Sequence, residues 1–88
     1  MEGATFDYAK LSAKVKIVFR EALKPEVIVT TSEGYLGRVH VKVISPVFDG
    51  RGEQEKQAYV WEILNAHLSD EERLGVTLVV PYGTDELP

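Results

Sequence analysis

The stretch Phe48–Leu64, FDGRGEQEKQAYVWEIL, decides the fold: a glycine-bearing loop that runs directly into an amphipathic helix. Asp49-Gly50 followed by Gly52 is turn chemistry, because glycine reaches backbone conformations that other residues avoid. From Glu53 to Leu68 the apolar residues Val60, Ile63, Leu64 and Leu68 recur at helical spacing, so a helix with one buried stripe is expected. Tyr59 and Trp61 flank that stripe but stand two apart, and such a pair does not share a helix face. Trp61 is assigned to the core and Tyr59 to the side turned away, beside Lys56 and Gln57.

Downstream, Ser69 and Glu72 spell a capping box, which predicts a second, short helix ending near Gly75. Val76–Val80 is an apolar run stopped by Pro81 and reads as a buried strand. Upstream, Arg38–Ser45 alternates, with Val39, Val41 and Val43 on one face and Arg38, His40 and Lys42 on the other, the pattern of a half-buried strand. Glu26–Thr31 is rich in β-branched residues, and its short, turn-rich connection Ser32–Gly37 makes the pair an antiparallel hairpin. The chain opens with a helix from Asp7 to Leu23, with Asp7 as N-cap and Pro25 closing it. Helix, strand, strand, helix, short helix, strand predicts an α+β domain: one three-stranded mixed sheet with helices packed on one face.

At 88 residues this is expected to be one domain, 1–88, with loose ends at 1–6 and 82–88. Apolar content of 44% against 27% charged residues marks a globular chain. The absence of cysteine excludes disulfides, thiolate ligation and cysteine nucleophiles. No apolar run reaches membrane-spanning length and the N-terminus lacks a signal-peptide pattern, so a cytoplasmic location is expected.

The net charge of -4 conceals an asymmetry, for five of the ten basic residues (Lys10, Lys14, Lys16, Arg20, Lys24) lie on the first helix, opposite its apolar stripe. Such a basic face offers an alternative reading as a nucleic-acid surface, with exposed Ile17 in its middle. Gly34-Tyr35-Leu36-Gly37 spells the G-x-x-G of backbone-clamping loops, yet it joins two strands and carries no basic residue, so a hairpin turn is expected. Gly50-Arg51-Gly52 lacks the lysine of a phosphate-binding loop. Asp70, Glu71 and Glu72 are explained by the helix dipole at a first turn. His40 and His67 stand on separate elements with no converging partners, which makes them surface residues and gives no metal site, no catalytic triad and no expected cofactor. An enzyme is not expected.

Read together, Ser45, Phe48 and Gly50, the helix residues Val60, Trp61 and Leu64, and Lys56 before them resemble the signature of the BolA-like family. The phrase Leu23-Lys24-Pro25 followed by Glu26-Val27 is similar to that family's start, and Thr84-Asp85-Glu86-Leu87 to its ending, so the resemblance spans nearly the whole chain. It implies a BolA-like topology, α-β-β-α-α-β, which the type II KH fold shares. It also implies a partner of monothiol glutaredoxins in iron–sulfur cluster handling, with some members linked to transcriptional control. The family's ligand histidine on the helix is here Gln57, its following arginine is Ala58, and the connection Ser32–Gly37 holds neither His nor Cys, with Arg38 after it. An amide is a poor ligand for cluster iron beside imidazole or thiolate.

The resulting expectation is a non-enzymatic BolA-like binding module. It would dock a monothiol glutaredoxin or another regulatory protein without ligating a cluster. Lys56, Gln57, Tyr59 and Arg51 would carry the contact, with Arg38 across the sheet. Self-assembly through a sheet edge is a third reading.

Overall fold

The computed structural model describes residues 6–24 and 26–86. Helix α1 runs Tyr8–Leu23, strands β1 and β2 run Ile28–Glu33 and Val39–Ile44, α2 spans Glu53–His67, α3 spans Asp70–Leu74, and β3 spans Val76–Tyr82. Single 3-10 turns at Tyr35–Gly37, Pro46–Phe48 and Thr84–Glu86 complete the order.

The helix ends follow local chemistry. Asp7 caps α1 by accepting from the Lys10 backbone N–H, and Lys24 leaves the helix in extended conformation. Pro25, expected to force that exit, lies outside the described residues, as do the ends 1–5 and 87–88. Ser69 and Glu72 form both halves of the capping box at α3. The link between β1 and β2 turns through Leu36 and Gly37, with φ of 58° and 78°. The G-x-x-G segment is therefore a hairpin turn. A Cβ on Gly37 would run into the carbonyl oxygen of Phe6, so only glycine fits there.

The strands order as β1-β2-β3, with β1 antiparallel to β2 and β2 parallel to β3. One face is covered by α1 and α2. Val15 and Phe19 from α1, Val60 and Leu64 from α2, and Val39, Val43 and Val79 from the sheet close the core. Each such side chain contributes roughly 1.5–3 kcal/mol of burial. The Tyr8 hydroxyl lies 2.9 Å from Thr31 Oγ1 and ties α1 to β1.

Among the described residues the other face of the sheet carries no helix. Its register aligns three cross-strand rows: Ser32–His40–Leu78, Thr30–Lys42–Val80 and Ile28–Ile44–Tyr82.

Four details depart from the pattern-based reading. The first strand starts at Ile28 rather than Glu26, because Ile28 is the first residue to find a partner, Ile44. β3 does not stop at Pro81 but continues to Tyr82, and it is half-buried, with Leu78 49% exposed. A proline is tolerated because β3 is an edge strand, where a missing outward N–H costs no ladder bond. Trp61 sits half-buried at the margin of the core, since Val60 and Leu64 hold the inward line of α2. Residues 82–86, read as part of a loose end, are tied down: Thr84 Oγ1 donates to Asp49 Oδ2 at 2.7 Å, and the Asp85 N–H donates to Asp49 Oδ1 at 3.2 Å.

Candidate functional site

The loop after β2 and the start of α2 bring most of the predicted contact residues together. Gly50, at φ 75°, reverses the chain in open space, so that Arg51 lies back over its own elements. Its Nε donates to the Val47 carbonyl at 2.8 Å and its Nη1 to Glu55 Oε2 at 2.8 Å. The guanidinium carbon stands 5.3 Å from the centre of the Tyr59 ring, a cation–π distance. Tyr59 in turn meets Phe48 edge to face, with centroids 5.8 Å apart. Phe48, Tyr59 and Arg51 thus form a stack that leads from the core outward to a half-buried charge.

Lys56 is not part of this surface. Expected to face a partner, it is 1% exposed, and its Nζ lies 2.7 Å from Glu86 and 2.9 Å from Glu53. An ammonium this deep needs carboxylates at hand, and the 3-10 turn Thr84–Glu86 supplies one. Glu86 and then Glu53 raise the Lys56 pKa. Lys56, then the Gly83 N–H, lower that of Glu86. The hydrogen bond from Thr84 holds Asp49 below its usual range as well. Asp49, Lys56, Thr84 and Glu86 therefore form a clasp between the α2 entry and the segment after β3. In the sequence Lys56, Thr84 and Glu86 stand in motif positions and Asp49 in a turn, but nothing local says that the four meet.

Gln57 is half-buried, and its Nε2 donates to the Val79 carbonyl on β3 at 2.9 Å. That neighbour is an acceptor, which fixes the amide with its nitrogen inward. Val79 and Pro81, two apart, turn their backbone groups to the same outer edge, so one carbonyl is taken by Gln57 and one N–H is absent. This blunts the β3 edge against strand addition.

Arg38 does not join this group. It precedes β2, while Arg51 follows it, and six strand residues at about 3.3 Å each separate the two ends. Its guanidinium lies 5.9 Å from the Phe6 ring, and its buried Nε has no hydrogen-bond partner among the described residues.

The two positions that the BolA-like resemblance assigns to cluster ligands thus present a committed amide and a guanidinium. Neither donor set fits an iron–sulfur cluster. His40 lies on the uncovered face against Gly34, whereas His67 is exposed at the end of α2 on the helical side, so the two do not converge. Among the described residues no group of three His, Cys, Asp or Glu is placed to hold a metal. Ser45 spends its hydroxyl accepting from the Val47 N–H as a cap.

On α1, Lys10, Lys16, Arg20 and Lys24 line one side with Ile17, but Lys14 pairs with Glu72 of α3 at 2.8 Å, and Lys24 with Glu21 at 3.3 Å. The acidic first turn of α3 therefore stands against the basic face and neutralises part of it, which removes the support for a phosphate-binding surface there. Lys14, followed by the Ser69 N–H, lowers the Glu72 pKa.

An N-terminal helix, an antiparallel hairpin, a long and a short helix, and a returning parallel strand make a BolA-like α+β fold. By sequence the chain matches no protein-family profile and no curated protein. By structure it is similar to BolA1 from Arabidopsis thaliana, with a TM-score of 0.62 at 18% identity, covering 89% of this chain and 96% of that one. No helix among the described residues is long and apolar enough to cross a membrane.

Proposed function

We propose that this chain is a non-enzymatic BolA-like binding module that docks a regulatory protein through the start of α2 and does not ligate an iron–sulfur cluster. The observation that carries the reading is Gln57: at the ligand position of the fold, its amide is engaged with the β3 backbone. Arg51 and Tyr59, stacked on Phe48, present a rigid aromatic–cation contact next to it. Such pre-ordered Arg and Tyr side chains are the residue types that anchor protein interfaces. Lys56 supports this surface from beneath rather than meeting the partner. A monothiol glutaredoxin is the partner that the fold suggests first.

The test is anaerobic mixing with a cluster-loaded monothiol glutaredoxin, followed by size exclusion and visible circular dichroism together. Co-elution with an unchanged cluster spectrum is expected, and Arg51→Glu should abolish it. A changed spectrum would establish ligation and overturn the reading. Failure to co-elute would remove the glutaredoxin as partner.

A further inference from the structure

The uncovered face of the sheet is chemically unlike the rest of the molecule. Its nine outward positions, three on each strand, include no acid, although the chain carries 14 acidic residues and a net charge of -4. Leu78, Val80 and Tyr82 run down β3, and Ile44 and Ile28 continue the row from Tyr82, giving an L-shaped apolar surface. Leu78 is 49% and Ile28 57% exposed, and both are among the most exposed large apolar side chains described. Lys42 occupies the central position of the grid, in the angle of the L, with its Nζ 5.3 Å from the Tyr82 ring centre. Among the described residues it makes no ion pair.

We propose that this face is a docking surface for an acidic amphipathic helix of a partner protein. Three properties select that occupant. The apolar column from Leu78 to Tyr82 spans about 13 Å, two steps of roughly 6.6 Å along a strand. Residues i, i+4 and i+8 of a helix span about 12 Å, so three apolar side chains of one stripe meet three of the column. Lys42, flanked by that column and desolvated by an incoming helix, requires a carboxylate, and an acid beside the stripe supplies it.

Symmetry argues against a second copy: a two-fold axis through the centre of the face would set Lys42 against Lys42, with no acid on the face to separate them. Nucleic acid is disfavoured because four of the five apolar residues are aliphatic and offer no ring for bases to stack on. This surface lies on the opposite side of the sheet from the α2 contact and does not depend on it.

The experiment is a two-dimensional NMR titration of the intact chain with three probes. The first is an alanine-based helical peptide with leucines at successive i, i+4 positions flanked by glutamates. The second is its lysine counterpart, and the third a single-stranded oligodeoxynucleotide. Shift changes with the acidic peptide alone, confined to Lys42, Ile44, Leu78, Val80 and Tyr82, are expected. Lys42→Glu should weaken the acidic peptide about tenfold and admit the lysine peptide, and Leu78→Thr, which suits a strand, should weaken the acidic peptide without admitting the lysine one. Equal binding of both peptides, shifts centred on α1 or α2, binding of the oligonucleotide to this face, or a concentration-dependent dimer through it would each overturn the proposal. So would the absence of any shift.

Discussion

The Lys56 ammonium lies 2.7 Å from the Glu86 carboxylate, thirty positions along the chain, and joins the buried start of α2 to the turn that follows β3. The contact is asymmetric, because Lys56 is buried while Glu86 remains partly in water. Removing one partner of a buried pair leaves the other stranded only if it cannot rehydrate. Glu86→Ala leaves the buried ammonium with Glu53, which is itself largely in water, and is expected to lower the melting temperature by about 5 °C. Lys56→Met, which frees carboxylates that can return to solvent, should lower it less. Thermal denaturation followed by circular dichroism separates the two, and a larger loss for Lys56→Met would contradict the asymmetry.

Acid should loosen the same clasp and the Lys14–Glu72 contact between α1 and α3. Asp49, Glu86 and Glu72 all have pKa values below their usual range, the first through Thr84, the second through Lys56 and the third through Lys14. A carboxylate more acidic in the folded than in the unfolded chain binds fewer protons when folded. Its contribution is complete above the ordinary carboxylate range near pH 4 and drains away as the pH falls through the lowered value. Lys56 has the opposite sign: its raised pKa contributes at neutral pH and is lost only in strongly alkaline solution. Melting temperatures are expected to be flat near neutrality and to fall below about pH 5. Asp49→Asn should make that decline shallower.

Two glycines with similar positive φ should respond differently to alanine. Gly37 and Gly50 have φ of 78° and 75°, but a Cβ on Gly37 meets the Phe6 carbonyl oxygen, while one on Gly50 meets nothing within 4 Å. Gly50→Ala should cost only the left-handed penalty of about 1–2 kcal/mol. Gly37→Ala should cost more, since Phe6 must also give up its N–H bond of 2.8 Å to the Leu36 carbonyl. Denaturant titrations of both variants would measure the difference.

Phe48 serves the core and the surface at once, being buried and also the platform for Tyr59. Phe48→Ala is expected to destabilise the domain by about 3–5 kcal/mol. Phe48→Leu should keep most of that stability while releasing the Tyr59 ring, which aromatic proton linewidths in NMR would report.

Most of the architecture was legible because periodicity is a local property. The alternation at Val39, Val41 and Val43, the stripe through Val60 and Leu64, and the Ser69–Glu72 box are each read within a few residues, and each appears as an element. What escaped was set by distance along the chain. Lys56 looked like a surface lysine because its partner Glu86 lies thirty positions away. Arg38 was expected to join the Arg51 contact from across the sheet, but the length of β2 puts the two residues at opposite ends of that strand. Pro81 looked like a stop because nothing local says that β3 is an edge. Gln57 was recognised as a vacancy in a ligand set, but its engagement with Val79 depends on a strand formed more than twenty residues later.

During synthesis β1 and β2 emerge in succession and are free to close as a hairpin, while the second side of β2 must wait for β3. Throughout that interval the apolar stripe of α2 and one bare strand edge travel with the nascent chain. At about 5–20 residues per second the delay lasts on the order of seconds. Because Glu86 follows all three strands, its contact with Lys56 is among the last that the growing chain can make.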